Sequence, residues 1–165
     1  MNIERQTSNV EDRILYSDLR FIGIGNEHRR DDGVGIFIVR HPALLHRAGA
    51  RVAEIRRDGT HLMDLWKGAG TVFVFDAVYS GGTPGTVYRL DPIKDPLPGN
   101  LFQLSTHTLG IAEAIELSRE LNQLPAKLIF YGIEGRNFGQ GQALSRPCKL
   151  SALQVIQRVL DEIRI

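Results

Sequence analysis

Short apolar runs that alternate with helical patterns are the feature that most constrains the fold of this sequence. Residues 19–24, 51–55 and 71–75 have the length and composition of strands, while residues 33–45 and 62–66 carry helical patterns between them. The run at 71–75 shows no polar alternation, as expected of a strand that is covered on both faces. Regular alternation of strands and helices predicts an α/β fold with a mostly parallel sheet.

The second half of the sequence adds two strands, at residues 86–90 and 127–133. The connection from 76 to 86 is rich in turn residues and too short for a crossover helix, since parallel neighbours need about a dozen residues or more between them. The strand at 86–90 is therefore predicted to be antiparallel. The fold class is a three-layer α/β/α sandwich with a five-stranded, mostly parallel twisted sheet and one antiparallel edge strand.

Two amphipathic helices are predicted in this half, one from residue 108 and one from a cap at Ser145. Apolar residues at helical spacing define the face that each helix is expected to bury. In the first helix these are Ile111, Ala114, Leu117, Leu121 and Leu124, and in the second they are Leu150, Leu153, Ile156, Leu160 and Ile163.

Composition places the chain among ordinary single-domain proteins. It has 165 residues, 42% hydrophobic and 24% charged, with a formal net charge of +1. Residues 1–17 show no periodicity and are predicted to be a flexible lead-in to one domain at 18–165. The small net charge disfavours nucleic acid and anionic membranes as partners. Neither a signal peptide nor a run of about 18 to 20 apolar residues is present, so we expect a cytoplasmic protein.

Polar residues are concentrated where three of these segments should reach one edge of the sheet. Ligands of open parallel sheets bind beyond the carboxyl ends of the strands. Asp32, Asp76 and His107 stand at predicted strand or helix ends. Two carboxylates and one imidazole suit a borderline divalent ion such as nickel or zinc, and three ligands leave positions open for water or substrate. The residues predict a metal-binding site in a solvent-reachable crevice.

A dinucleotide site is the first alternative, because Gly23 and Gly25 close the first strand. The third glycine of that fingerprint would fall at His28, and the loop that follows is long and charged, which makes a poor pyrophosphate cradle.

A nucleophilic triad of Ser105, His107 and Asp76 is the second alternative. Ser105 lacks the flanking glycines of a nucleophile elbow and is more simply a cap or loop residue. Cys148, the only cysteine, excludes an intramolecular disulfide and is expected to be an inert buried thiol.

Several motifs together resemble the hydrogenase maturation endopeptidases, over roughly residues 18–163. The most specific is Gly-Ile-Gly-Asn at 23–26 followed by Asp-Asp-Gly-Val-Gly at 31–35. The others follow in the order of the family and lie at residues 58–60, 75–77, 84–86, 105–110 and 132–134.

The resemblance implies an aspartyl-type endopeptidase that removes the C-terminal extension of a nickel–iron hydrogenase large-subunit precursor after nickel insertion. It implies that Asp32, Asp76 and His107 form the catalytic and metal-contacting site, with Asp31 a structural neighbour. The nickel would come with the precursor, with no tightly held metal of the enzyme's own. The partner would be that precursor, and the default state is a monomer. His61, where the family is expected to have a small residue, is interpreted as a solvent-facing residue at a helix start.

Two other functions remain compatible with these residues. One is a non-catalytic nickel-binding delivery or scaffold protein for hydrogenase assembly. The other is a metallopeptidase that holds its own zinc.

Overall fold

One five-stranded sheet organises the protein. The structure is a computed structural model that describes residues 18–56, 58–98, 101 and 110–163. Its strands are β1 (Leu19–Ile24), β2 (Ala50–Ile55), β3 (Thr71–Val78), β4 (Val87–Leu90) and β5 (Lys127–Glu134). Its helices are α1 (Val34–Arg40), α2 (Pro42–Leu45), α3 (Gly59–Trp66), α4 (Ile111–Glu120) and α5 (Arg146–Glu162), and a 3-10 turn spans Arg30–Gly33.

The strand order is β2-β1-β3-β5-β4. All pairings are parallel except that of β4 with β5, which is antiparallel at the edge of the sheet. Both the fold class and the antiparallel edge strand predicted from the sequence are confirmed. The lead-in at 1–17 lies outside the described residues, so the domain boundary stays a prediction. No helix in the described ranges has the length and apolar character needed to cross a bilayer.

Two apolar layers cover the sheet, one on each face. Phe73 and Phe75 of β3 face a core shared with α1 and α5, whereas Val72 and Val74 face a core shared with α3 and α4. All eight residues of β3 are buried, as the lack of polar alternation in this run predicted.

The predicted buried stripes of the two amphipathic helices are partly wrong. In α4, Leu117 is 41% exposed and Leu121, beyond the helix end, is 51% exposed. In α5, Leu150 and Leu153 are exposed. Ala114, Ile156 and Ile163 are buried as predicted. The other buried residues are Ile115 and Ser118 in α4, and Cys148, Ser151, Ala152, Val155 and Val159 in α5.

Small side chains explain the difference. The indole Nε1 of Trp66 in α3 donates to the Ser118 hydroxyl at 3.0 Å, which holds α3 against the small-residue face of α4. Ser151 of α5 likewise donates to the carbonyl of Gly85. Close packing favours small residues at the contact, so the larger leucines are displaced to the sides.

Gly35 allows α1 to lie directly on the carboxyl ends of β1 and β3. A Cβ atom at this position would lie 2.3 Å from the Phe75 carbonyl oxygen and 2.5 Å from that of Ile24. Both are backbone atoms of buried strands and have no room to move. Gly35 is therefore required for the first turn of α1 to pack this closely against the two strands.

We expect Gly35→Ala to reduce the free energy of unfolding by about 3 kcal/mol, because overpacking against backbone forces a shift of the helix. Urea unfolding monitored by circular dichroism measures the change. Gly139→Ala is the control, since its Cβ would meet only the flexible Asn137 side chain, at 3.1 Å. Equal stability of the two variants would contradict this account of α1 packing.

Candidate functional site

Asp32 lies in the 3-10 turn just beyond the carboxyl end of β1, and this turn packs against β3. Its backbone is held by the Gly-Asn motif, because the Asn26 amide donates to the Asp32 carbonyl at 3.2 Å. Gly25 has a φ of +142°, and a Cβ there would lie 1.8 Å from the Asp32 carbonyl oxygen. Only glycine permits this approach. The motif thus positions the Asp32 turn.

Asp76 lies within β3 rather than after it, because the strand continues to Val78. Its Oδ1 accepts a hydrogen bond from the Ala77 amide at 2.8 Å. Since side chains alternate along a strand, Asp76 shares the face of Val72 and Val74 and points toward the layer of α3 and α4. The strand predicted at 71–75 was too short, because an aspartate usually marks the end of an apolar run.

Both aspartates are buried, with Asp32 6% and Asp76 4% exposed. The expectation that they line a solvent-reachable crevice together with His107 stays a prediction, because His107 lies outside the described residues. A groove of about 230 Å³ does open nearby, lined in part by Asn26, His28 and Arg56, but neither aspartate lines it.

His107 and Ser105 lie outside the described residues. The predicted convergence of Asp32, Asp76 and His107 on one ion thus stays a prediction. Among the residues that are described, no three or more His, Cys, Asp or Glu side chains group as metal ligands.

Asp31 is fully buried and acts as an anion held by backbone amides. Its Oδ2 accepts from the amides of Arg136 at 2.8 Å and Asn137 at 3.0 Å and from the Ser145 hydroxyl at 2.8 Å, while its Oδ1 accepts from the Ser145 amide at 2.7 Å. Burial by itself raises the pKa of Asp31, but these hydrogen bonds outweigh it and hold the pKa below its ordinary value. This supports the interpretation of Asp31 as a structural neighbour.

Further backbone bonds fasten the same two loops together. The Arg30 amide donates to the Gly141 carbonyl at 2.7 Å, the Asp31 amide to the Asn137 carbonyl at 3.0 Å, and the Gly141 amide to the His28 carbonyl at 2.9 Å. These loops follow β1 and β5, which lie on either side of β3. They therefore meet beside the end of the strand that carries Asp76.

Glu134 is a fourth buried carboxylate at this end of the sheet, and no role was predicted for it from the sequence. It accepts from the Ser80 amide at 2.9 Å, the Ser80 hydroxyl at 2.7 Å and the Tyr88 hydroxyl at 3.4 Å. Glu134 pairs in register with Val78, and so lies on the same face as Asp76. The sequence does contain a signal for Glu134, because this acidic residue follows an apolar run as Asp76 does.

Cys148 is buried, as predicted, and its thiol donates to the Glu134 carbonyl at 3.3 Å. Burial raises the pKa of the Cys148 thiol to about 11, so it carries no thiolate at neutral pH. Ser145 stands at the N-cap of α5, but its hydroxyl bonds Asp31 and makes no cap hydrogen bond.

The pattern at 58–60 caps α3 as expected, with the Asp58 carboxylate accepting from the Thr60 amide at 3.0 Å. His61 in the first turn is exposed, which confirms its interpretation as a solvent-facing residue.

The fold and site define a three-layer α/β/α protein with buried carboxylates at the carboxyl end of its parallel strands. Solved maturation endopeptidases share this fold. The hydrogenase maturating endopeptidase HybD from Escherichia coli aligns with a TM-score of 0.75 at 23% identity, covering 89% of this chain and 92% of that one. The hydrogenase maturation protease HycI from Thermococcus kodakarensis aligns with a TM-score of 0.65 at 22% identity, covering 93% and 97%.

The chain belongs to the hydrogenase maturation protease family, whose family model matches residues 57–162. This range includes Asp76, His107 and Glu134 but not Asp32. FrxA from Pyrococcus furiosus is 32% identical over 138 residues, which is 81% of this chain and 96% of that protein. HupD from Rhodobacter capsulatus is 28% identical over 68% of this chain. The chain spans about half the length of the HupD relatives that it matches.

We expect Asp31→Asn to lower the free energy of unfolding by about 3 kcal/mol at pH 7, because an amide nitrogen would face N–H or O–H donors in a buried position. Denaturant unfolding of wild type and variant measures the loss. Asp64→Asn, at an exposed position of α3, is the control and should change stability by no more than about 0.5 kcal/mol. A similar small effect at Asp31 would show that the loops do not depend on its charge.

Proposed function

We propose that this protein is an endopeptidase that removes the C-terminal extension of a nickel–iron hydrogenase large-subunit precursor after nickel insertion. The observation that carries the proposal is the match of residues 57–162 to the hydrogenase maturation proteases. The buried carboxylates of Asp32, in the turn that follows β1, and of Asp76, within the neighbouring strand β3, support it. We take the enzyme to be a cytoplasmic monomer that docks on its substrate transiently.

In this proposal the nickel is part of the substrate and serves as the recognition handle. Asp32, Asp76 and His107 supply oxygen and nitrogen donors to positions that the precursor's own ligands leave open, at about 2.0 to 2.2 Å from the ion. A cation interacts more strongly with buried carboxylates than with exposed ones, because the local dielectric constant is lower. The burial of both aspartates therefore favours a charged handle over a neutral peptide.

Chain connectivity supports the assignment of His107. Helix α4 begins at Ile111 and leads into β5, which is parallel to β3. The end of the helix therefore lies near the amino end of β5, and its first turn lies near the carboxyl ends of the parallel strands. The helix packs on the face toward which Asp76 points. Gly110, which precedes this turn, comes three residues after His107 in the sequence, and this short separation is the basis on which we assign His107 to the site.

Two alternatives make different predictions for the purified protein. A nickel delivery or scaffold protein binds the loaded precursor without cleaving it. A metallopeptidase with its own zinc cleaves nickel-free precursor as well. The deciding experiment mixes the protein with nickel-loaded and nickel-free precursor and follows the mass of the large subunit. Our proposal expects the mature mass from the loaded precursor alone.

We expect His107→Ala and Asp76→Asn each to abolish processing, with a fall of at least about 100-fold in rate. Asparagine retains an Oδ1 that accepts from the Ala77 amide, so Asp76→Asn should keep the fold while losing the charge that meets nickel. Rates from mass spectrometry and melting temperatures from circular dichroism separate the two effects.

Cys148→Ser is the matched control for this experiment. Serine still donates to the Glu134 carbonyl, and the thiol has no assigned chemistry, so processing should continue at the wild-type rate. Full processing by His107→Ala would contradict the metal-recognition role. Loss of processing in Cys148→Ser at an unchanged melting temperature would indicate a cysteine peptidase instead.

A further inference from the structure

Four arginines lie on or next to the two fastened loops beside the candidate site. We call Arg29, Arg30, Arg136 and Arg146 the arginine surface; all but the partly buried Arg30 are exposed. Residues 135–149 contain no Asp or Glu, and the two aspartates that follow Arg30 are buried. Glu27, on the loop after β1, is paired with Arg40 at 2.6 Å. The chain as a whole has a net charge of only +1. This concentration of positive charge is therefore local.

The backbone contacts of these loops hold two of the arginines in fixed orientations. The Nε of Arg29 donates to the Phe138 carbonyl at 3.3 Å, and the Nε of Arg30 donates to the Gln140 carbonyl at 3.0 Å. These bonds use one donor of each guanidinium and leave the terminal nitrogens with donors for another acceptor. Part of the entropy cost of binding an anion is thereby already met.

An aromatic pair, of which Tyr79 is exposed and Phe138 partly buried, adjoins the arginine surface. Tyr79, the residue after β3, is 48% exposed, and its ring meets that of Phe138 edge to face at 5.6 Å. The Phe138 carbonyl is the acceptor for Arg29. Tyrosine and arginine are the residue types that most often dominate binding at protein interfaces.

We propose that the arginine surface and Tyr79 dock an acidic segment of the precursor polypeptide. This inference rests on the proposed function, which makes the substrate a protein. Carboxylates of the segment pair with the guanidinium forks, whose geometry matches a carboxylate in a bidentate manner. An apolar residue of the segment packs on Tyr79. The loops flank the end of β3, so a segment bound there lies next to Asp76.

The test compares two double charge reversals. The first variant, Arg29→Glu with Arg136→Glu, changes the arginine surface. The second, Lys67→Glu with Arg158→Glu, makes the same change of charge at exposed positions near the amino ends of the parallel strands. Biolayer interferometry measures binding of immobilised nickel-loaded precursor at 50 and 500 mM NaCl. Melting temperatures verify that both variants fold; if the first does not, Arg136→Glu alone replaces it.

We expect the arginine-surface variant to bind at least tenfold more weakly at 50 mM NaCl, with a much smaller difference at 500 mM, because salt screens exposed charges. Its loss of processing should appear in KM rather than kcat. The control variant should bind as wild type does. Tyr79→Ala should weaken binding at both salt concentrations, and Tyr79→Phe should restore it.

Equal binding by the two double variants would overturn the inference, as would a wild-type protein that does not bind the precursor. Binding of a 20-base-pair DNA duplex that is lost in the arginine-surface variant, with precursor binding intact, would overturn it in favour of nucleic acid. Charge-dependent binding of the precursor without cleavage would support the docking surface while refuting the proposed peptidase function.

Discussion

The complete burial of β3 is the constraint on which the arrangement of this protein depends. The strand is hydrogen-bonded to neighbours on both edges and covered by helices on both faces. A buried polar side chain must find partners within the protein, because water cannot reach it. The Asp76 carboxylate accepts from the neighbouring Ala77 amide within the strand. The Asp76 carboxylate is therefore held against the backbone of the covered strand.

Asp31 fixes the positions of the loops beyond the carboxyl ends of β1 and β5. Three backbone amides and one hydroxyl converge on its carboxylate, and they join the loop after β1 to the loop after β5. Charge-assisted hydrogen bonds of this kind are stronger than neutral ones. The neighbouring Asp32 is therefore presented from a fixed turn, and the arginines on the same loops share that rigidity. One buried residue thus organises both the candidate site and the surface beside it.

Features that local interactions decide could be predicted from the sequence, whereas features that depend on contacts distant in the chain could not. The strand run at 71–75 and the short connection to β4 are local signals, and both predicted the topology correctly. The leucines of α4 and α5 misled the prediction of buried faces, because Ser118 and Ala152 permit closer packing than leucine does. Glu134 received no role because its partners, Ser80 and Tyr88, are about 50 residues distant in the chain.

By itself the sequence determined the α/β class, the antiparallel edge strand, the family and the acidic residues at the end of the parallel strands. Periodicity, turn chemistry and ordered motifs are properties of the linear chain, so no coordinates were needed for them. Only the tertiary structure decided that Asp32 and Asp76 are buried, that Asp31 joins two loops and that these loops bring Arg29 and Arg30 to the segment that carries Arg136. Those properties depend on contacts between segments about a hundred residues apart, which exist only once the sheet has brought the loops together.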